Sequence, residues 1–365
     1  MDPVYLDHNA TTPMRPAAIA AVAAASNVTG NASSVHAWGR RARAVVEDAR
    51  ESVATLVGVK PDWVVFTSGG TEANNLALRG PDVASVAVSA IEHPSVLKAR
   101  NDIAEIPVDG HGLVRLDEIP QVGLVSVMLA NNETGVIQPV GRVAEIAKTN
   151  GARVHSDAVQ AAGRVAIDMK ALGVDMMSLS AHKIGGPQGI GALIVRPGVR
   201  LDAAQRGGGQ ERGVRAGTEN VAGLAGFGAA AAEALADLPR MRVLVHLRNK
   251  LEAGLRVAAP DVTIFGADAE RLSNTSCIAL PGVSAESQLM VFDLAGIMVS
   301  SGSACSSGKV AKSHVLAAMG VAEDVAETAI RVSLGWTTTE ADIDRFVAGW
   351  TAVYRRTQTN VRKVA

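Results

Sequence analysis

Only two cysteines occur in 365 residues, Cys277 and Cys305. A secreted scaffold held by disulfides would carry more, in pairs. Two free thiols in a reducing cytoplasm are expected instead, and one becomes a candidate for chemistry. Aromatic residues are almost missing, at 3%, so Ala, Val, Leu and Ile must fill the core. Neither sign of charge dominates: 35 basic and 36 acidic residues leave a formal net charge of −1. That balance gives no bulk electrostatic case for direct binding to nucleic acid or to an anionic membrane. No apolar run approaches the roughly 20 residues needed to span a bilayer. The start, Met1-Asp2-Pro3-Val4-Tyr5-Leu6-Asp7-His8, lacks the basic segment followed by an apolar stretch that marks a secretion signal. Internal repeats and low-complexity linkers are also lacking, and no metal site is expected.

What is present is a well-cored globular composition, 48% hydrophobic and only 19% charged, which excludes a disordered chain. The length allows two or three domains, or one large α/β domain with an appendage. Helix-period stretches at 17–25, 41–57 and 142–148 alternate with strand-like runs at 63–66, 83–88, 124–129, 153–155, 176–179 and 190–195. Several of these runs are apolar almost throughout, as expected for strands covered on both faces. The alternation predicts a mainly parallel sheet wrapped by helices. The rhythm changes near Gly223, where an Ala-rich helical stretch runs to about Leu255 with a break at Pro239. Strands at 262–265, 275–280, 298–300 and 330–334, a helix around 287–294 and a last helix at about 340–355 complete a smaller α+β region.

Three features carry chemistry, each at a strand end. Ser180-Ala181-His182-Lys183-Ile184-Gly185-Gly186-Pro187 places a lysine where a buried strand leaves onto a glycine-rich loop. A lone loop lysine is usually a solvated charge. At this position it suits a Schiff-base lysine beside a hydroxyl and an imidazole that grip a phosphate. Asp157 ends the strand before it, where an acid is often a helix cap but also suits a partner for a pyridine nitrogen. Gln160, three positions on, would face the same way and reach a ring hydroxyl. Thr67-Ser68-Gly69-Gly70-Thr71-Glu72-Ala73-Asn74-Asn75 follows a strand and opens a helix, whose first N–H groups and Thr71 hydroxyl form an anion cradle. It matches neither the Walker pattern nor the dinucleotide fingerprint. Together the three point to pyridoxal 5'-phosphate.

The two cysteines divide by surroundings. Cys277, in Asn274-Thr275-Ser276-Cys277-Ile278-Ala279-Leu280, reads as a structural strand residue. Cys305 lies in Ser300-Ser301-Gly302-Ser303-Ala304-Cys305-Ser306-Ser307-Gly308-Lys309, small, polar and glycine-rich, which suits a reactive thiol.

Over essentially its whole length the chain resembles the group I cysteine desulfurases (NifS/IscS type), fold-type I pyridoxal-phosphate enzymes of the class V aminotransferase group. The resemblance runs from Tyr5-Leu6-Asp7-His8-Asn9-Ala10-Thr11-Thr12-Pro13 through Glu92-His93-Pro94-Ser95-Val96 and Asn131-Asn132-Glu133-Thr134-Gly135. It continues through Gly207-Gly208-Gly209-Gln210-Glu211-Arg212-Gly213-Val214-Arg215-Ala216-Gly217-Thr218 to Arg331-Val332-Ser333-Leu334-Gly335, and the Cys305 segment matches the group I catalytic loop. The resemblance implies a fold-type I α/β architecture, with a large cofactor-binding domain at 13–255 and a small domain built from 1–12 and 256–365. It implies Lys183 as the cofactor lysine, Asp157 against the pyridine nitrogen, and Gln160 and Asn132 at the ring hydroxyl. It implies His93 stacked on the ring, and Gly70, Thr71, Ser180 and His182 on the phosphate, with Thr218 reaching the neighbouring subunit's phosphate in a homodimer. It implies Arg331, with Asn132, at the substrate carboxylate. The implied reaction converts L-cysteine to L-alanine and leaves a persulfide on Cys305. A sulfur-acceptor protein follows, an iron–sulfur scaffold or a thiolation relay. A selenocysteine lyase or another class V enzyme is the alternative. The chain departs from longer members in a trimmed region between His93 and Leu124 and in stopping soon after a helix ending near Arg355, which puts scaffold docking in doubt.

Overall fold

The computed structural model describes residues 3–280, 282–302 and 312–364; Cys305 lies outside the described residues. A seven-stranded sheet carries the larger core, in the order Val64–Thr67, Gly191–Val195, Met176–Ser180, Arg153–Asp157, Leu124–Ser126, Val86–Ser89, Ile103–Ile106. Only Gly191–Val195 runs against its neighbours. The other pairings are parallel, as the alternating pattern predicts. The strand segments VVFT, VAVS, LVS and MMSLS are buried at every position, so they read as apolar runs without alternation. Ile103–Ile106 escapes the sequence reading because it is an edge strand with an exposed middle.

Helices Pro16–Ser26, Ala37–Leu56 and Val221–Ala236 pack together on this sheet. Their starts are fixed locally: proline stands at the first position of one, His36 Nδ1 accepts from the Gly39 N–H, and Asn220 accepts from the Gly223 N–H. The approach is too close for larger residues. A Cβ placed on Gly228 would lie 2.7 Å from Ala49 Cα, and one on Gly226 would lie 2.6 Å from Val22 Cγ2. Small residues and close backbones here do the work that aromatic rings do in other cores.

The Ala-rich stretch breaks where Pro239 stands: Val221–Ala236 ends, a short 3-10 turn Leu238–Arg240 follows, and Met241–Ala258 continues. This last helix joins a second core. Leu247, Leu251 and Leu255 pack there with Phe292, Phe346 and Trp350, beside an antiparallel sheet ordered Ser300–Ser301, Ala329–Ser333, Thr275–Ala279, Thr263–Phe265. The expected strand at 298–300 resolves into two, Ile297–Met298 and Ser300–Ser301, which belong to different sheets. The first pairs in parallel with Val4–Tyr5, and so the chain start is bound to the C-terminal half. The last helix runs Glu340–Val364, beyond the expected end near Arg355, where neither glycine nor proline follows to stop it. Among the described residues no single helix is long and apolar enough to cross a membrane.

Trp350 is fully buried and stacks on Tyr354 with ring centroids 5.8 Å apart. Trp350→Ala is expected to lower stability by about 3–5 kcal/mol through the cavity it leaves. Urea denaturation followed by circular dichroism checks it.

Candidate active site

The central sheet delivers its functional residues at strand ends, around one cavity of about 240 Å³. Gly70, Thr71, His93, Asn132, Asp157, Gln160, Ser180, His182 and Lys183 all line it, so nine of the residues singled out in the sequence meet in one place. Lys183 closes the 3-10 turn Ala181–Lys183 directly after the strand Met176–Ser180. Its Nζ donates to the carbonyl oxygens of Asn9, at 2.6 Å, and Ala10, at 2.7 Å.

Asp157 ends its strand buried, with Oδ2 accepting from Asn74 Nδ2 at 2.7 Å and Oδ1 from the Val159 N–H at 2.9 Å. Asn74 Nδ2 also donates to Ser95 Oγ at 2.9 Å. The Ser95 hydroxyl lies 2.7 Å from His93 Nδ1, to which the Ser95 N–H donates at 3.1 Å. Nδ1 is therefore the acceptor, and Nε2 carries the ring proton. A continuous path of hydrogen bonds thus connects the aspartate to the histidine. Burial is the main cause that holds the His93 pKa below its usual value; Asp157 opposes it and Lys183 adds to it.

The helix Gly70–Arg79 presents its N-terminus to the same cavity, and among the described residues no side chain caps it. Gly69 before it has φ +154, which a side chain would resist, and a Cβ on Gly70 would come 2.9 Å from Val159 Cγ2. The open N–H groups, with Ser180 and the Thr71 hydroxyl, suit an anion. His182 joins as a neutral imidazole: burial and the neighbouring Lys183 lower its pKa to about 4, and Nδ1 lies 3.1 Å from Thr11 Oγ1.

Two expected residues sit differently. Arg331 is buried in the strand Ala329–Ser333 just behind the cavity, donating to Asp7 Oδ1 at 2.7 Å and to the Asn132 carbonyl at 3.1 Å. Thr218 is exposed and does not line this chain's cavity. Cys277 is buried at the centre of the second sheet, where burial pushes its thiol pKa far up. On either side of the Cys305 segment, Gly302 and Ser313 approach one residue. Ser313 Oγ donates to Glu133 Oε2 at 2.5 Å, and a Cβ on Gly302 would meet that same oxygen at 2.4 Å. Glu133, the neighbour of Asn132, thus accepts from Ser313 and lies close to Gly302.

Sequence reasoning passed over Asn9, Asn74, Ser95, Glu92 and Glu133. Asn74 falls within the anion-cradle stretch and the others within stretches that carry the resemblance, yet none has a spacing that marks it. Glu92 is fully buried and accepts from the Met128 N–H at 2.5 Å. Burial, with Asp157 nearby, raises its pKa well above the carboxylate range, so it holds its proton.

The aminotransferase class-V family matches residues 4–346. A cysteine desulfurase of Sinorhizobium fredii is 43% identical, covering 98% of this chain and 97% of that protein. A NifS-like protein of Rickettsia africae superimposes with a TM-score of 0.90 at 38% identity, over 97% of this chain and 99% of that one. The structure of SspA in complex with cysteine is also similar, with a TM-score of 0.78 at 28% identity over 91% of this chain and 98% of that one.

The strand that ends in Asp157 also holds His155, fully buried between Ser126 Oγ at 2.8 Å and Ser178 Oγ at 2.9 Å. Burial lowers its pKa to about 3. The unfolded chain, with an ordinary histidine near 6.5, binds this proton more readily than the folded one does. The contribution is therefore complete above about pH 6.5 and is lost as pH falls towards 3. Stability of the wild type is expected to decline through this window. In His155→Asn, which removes the titrating group, the decline should be shallower, as read by urea midpoints at successive pH values.

Proposed function

The chain belongs to the class V aminotransferases and, within them, to the cysteine desulfurases, and on that footing we propose that it converts L-cysteine to L-alanine and leaves the sulfur as a persulfide on Cys305. The observation that carries this reading is the convergence of Lys183, Asp157 and the open helix N-terminus at Gly70 and Thr71 on one cavity. That set fits pyridoxal phosphate. The cradle supplies donors for a phosphate, the buried Asp157 supplies a carboxylate for a pyridinium nitrogen, and Asn74 holds that carboxylate in place. Gln160 and Asn132 would take the ring oxygen, His93 would lie against the ring, and Ser180 and His182 would join the phosphate shell. Thr218, exposed in its own chain, would complete the phosphate site of the second copy in a homodimer.

Bound there, pyridoxal phosphate supplies an electrophilic carbon for the amino group of cysteine and a ring that takes up the electron pair left by the α-proton. Lys183 holds the cofactor at rest and removes the α-proton when the substrate takes its place. Its contacts with the Asn9 and Ala10 carbonyls keep Nζ at the cavity wall. His93 would serve as a proton relay to the product carbon, Nδ1 taking up a proton as Nε2 gives its own. Arg331 would bind the substrate carboxylate. It lies behind Asn132 and on Asp7, so the incoming carboxylate would have to compete for its guanidinium. The Cys305 thiolate attacks the substrate sulfur: an S–S bond forms, the C–S bond breaks, and a proton on carbon gives alanine. Glu133, next to Asn132 in the chain, accepts from Ser313 Oγ and lies close to Gly302, the described residues nearest that segment's two ends. The structure of SspA with cysteine supports the choice of substrate.

The same reading divides the chain into a cofactor domain at 13–255 and a small domain from 1–12 and 256–365. The helix Met241–Ala258 spans their junction and lends its leucines to the second core. A reducing cytoplasm suits a free reactive thiol, and an acceptor protein, an iron–sulfur scaffold or a thiolation relay, would then take the sulfur.

Purified protein given pyridoxal phosphate and L-cysteine is expected to release alanine, faster with a thiol reductant present. Cys305→Ala should bind the cofactor and release none, while Lys183→Ala should lose turnover by about 10³-fold or more. Equal alanine release by wild type and Cys305→Ala would overturn the proposal.

A further inference from the structure

Arg164 is buried behind the cavity. Among the described residues its guanidinium donates only to neutral groups. Nη1 meets the Gln160 carbonyl at 2.8 Å and the Gln160 side-chain oxygen, and Nη2 meets the His8 carbonyl at 3.3 Å. Burial, with Arg331 near it, lowers its pKa to about 9. A buried cation without a carboxylate is costly, so its retention calls for a purpose.

Guanidinium has donors and no acceptor, so the Gln160 atom that faces it is Oε1. An independent contact says the same: Gln160 Nε2 donates to the Asn9 carbonyl at 3.0 Å, and a carbonyl only accepts. The orientation of a glutamine amide is ordinarily ambiguous, but here two neighbours of opposite character fix it. Gln160 lines the cavity, and with Oε1 turned to Arg164 and one hydrogen on Asn9, a single N–H is left for whatever the cavity holds.

We infer that Arg164 is a positioning residue that locks the Gln160 amide with its donor towards the cavity, so that the ring oxygen of the cofactor is held as an acceptor in its deprotonated form. The inference rests on the pyridoxal phosphate reading above and adds to it a residue outside the cavity wall. A freely turning amide would serve either protonation state of that oxygen. A locked donor favours only the anion and so lowers the basicity of the bound cofactor.

The test is a pH titration of the visible absorption band of the cofactor-loaded enzyme, with thermal unfolding of each cofactor-free variant alongside. Gln160→Ala is expected to raise the titration midpoint by about one pH unit, the scale of one lost hydrogen bond to a charged form. Arg164→Met should raise it as much, and the double variant no further than Gln160→Ala alone. Arg164→Lys, which keeps a cationic donor opposite Oε1, should stay near the wild type. A merely structural Arg164 would lower the melting temperature and leave the midpoint where it was, and that result overturns the inference. Additive shifts in the double variant overturn it too, since Arg164 would then act by its charge and not through Gln160. An unmoved midpoint in Gln160→Ala overturns it whether or not the Arg164 variants fold. A wild type that develops no cofactor band is a different failure, one that removes the pyridoxal phosphate reading and this inference with it.

Discussion

The backbone carbonyl of Asn9 is the contact on which the site is hung. It accepts from Lys183 Nζ and from Gln160 Nε2, and so a main-chain atom fixes two side chains from separate segments of the large sheet region. A backbone oxygen has little freedom once its segment is paired, and this segment is paired on both sides. Leu6 packs in the second core and donates its N–H to the Met298 carbonyl, while the Thr12 N–H donates to the His182 carbonyl and the Arg15 N–H to that of Gly185. Residues 3–15 are thus a clasp between the two cores. Asn9 stands at its middle, its own side chain reaching the Asn132 carbonyl and Thr275 Oγ1.

Around this clasp the charges are graded by burial. His182 is neutral, Glu92 keeps its proton, and Arg164 stands among carbonyls. Asp157 is the carboxylate that the neighbours choose to serve, receiving Asn74 and the Val159 N–H. Low dielectric makes each such choice consequential, because an unsatisfied or doubled charge would be expensive there. The site is polar, but little of its polarity is left without direction.

Much of this was legible in the sequence, and the physical reason is position. Lys183 and the Gly69–Gly70 turn each follow an apolar run, Asp157 closes a short buried strand, and strand ends are where an α/β sheet exposes its chemistry. The strand at 176–179 was readable because burial on both faces leaves a mostly apolar run, and it and the strand at 153–155 prove one and two residues longer than expected. Ile103–Ile106 was not, since a half-exposed edge strand gives no such run. Nor was the split between Ile297–Met298 and Ser300–Ser301, because two residues per strand carry no period. Asn74 and Asn9 were quoted only as parts of motifs. Their partners lie 83 and 174 residues away, and no local spacing announces such a contact. Arg164 was invisible for a further reason: a basic residue among alanines reads as a surface charge until the fold buries it.

The tight seat of Val221–Ala236 against its two neighbouring helices bears on how the sequence can drift. At Gly228 a methyl group would strike the backbone of Ala49, which cannot turn aside as a side chain can. Substitutions at this interface are therefore sorted by volume before polarity or charge has any say. At Gly226 and Gly228 only glycine fits, while Leu224 and Phe227 of the same helix fill the core beside them. The exposed faces of the helix are free of that constraint, whereas Gly226 and Gly228 have no room for a side chain against Val22 and Ala49.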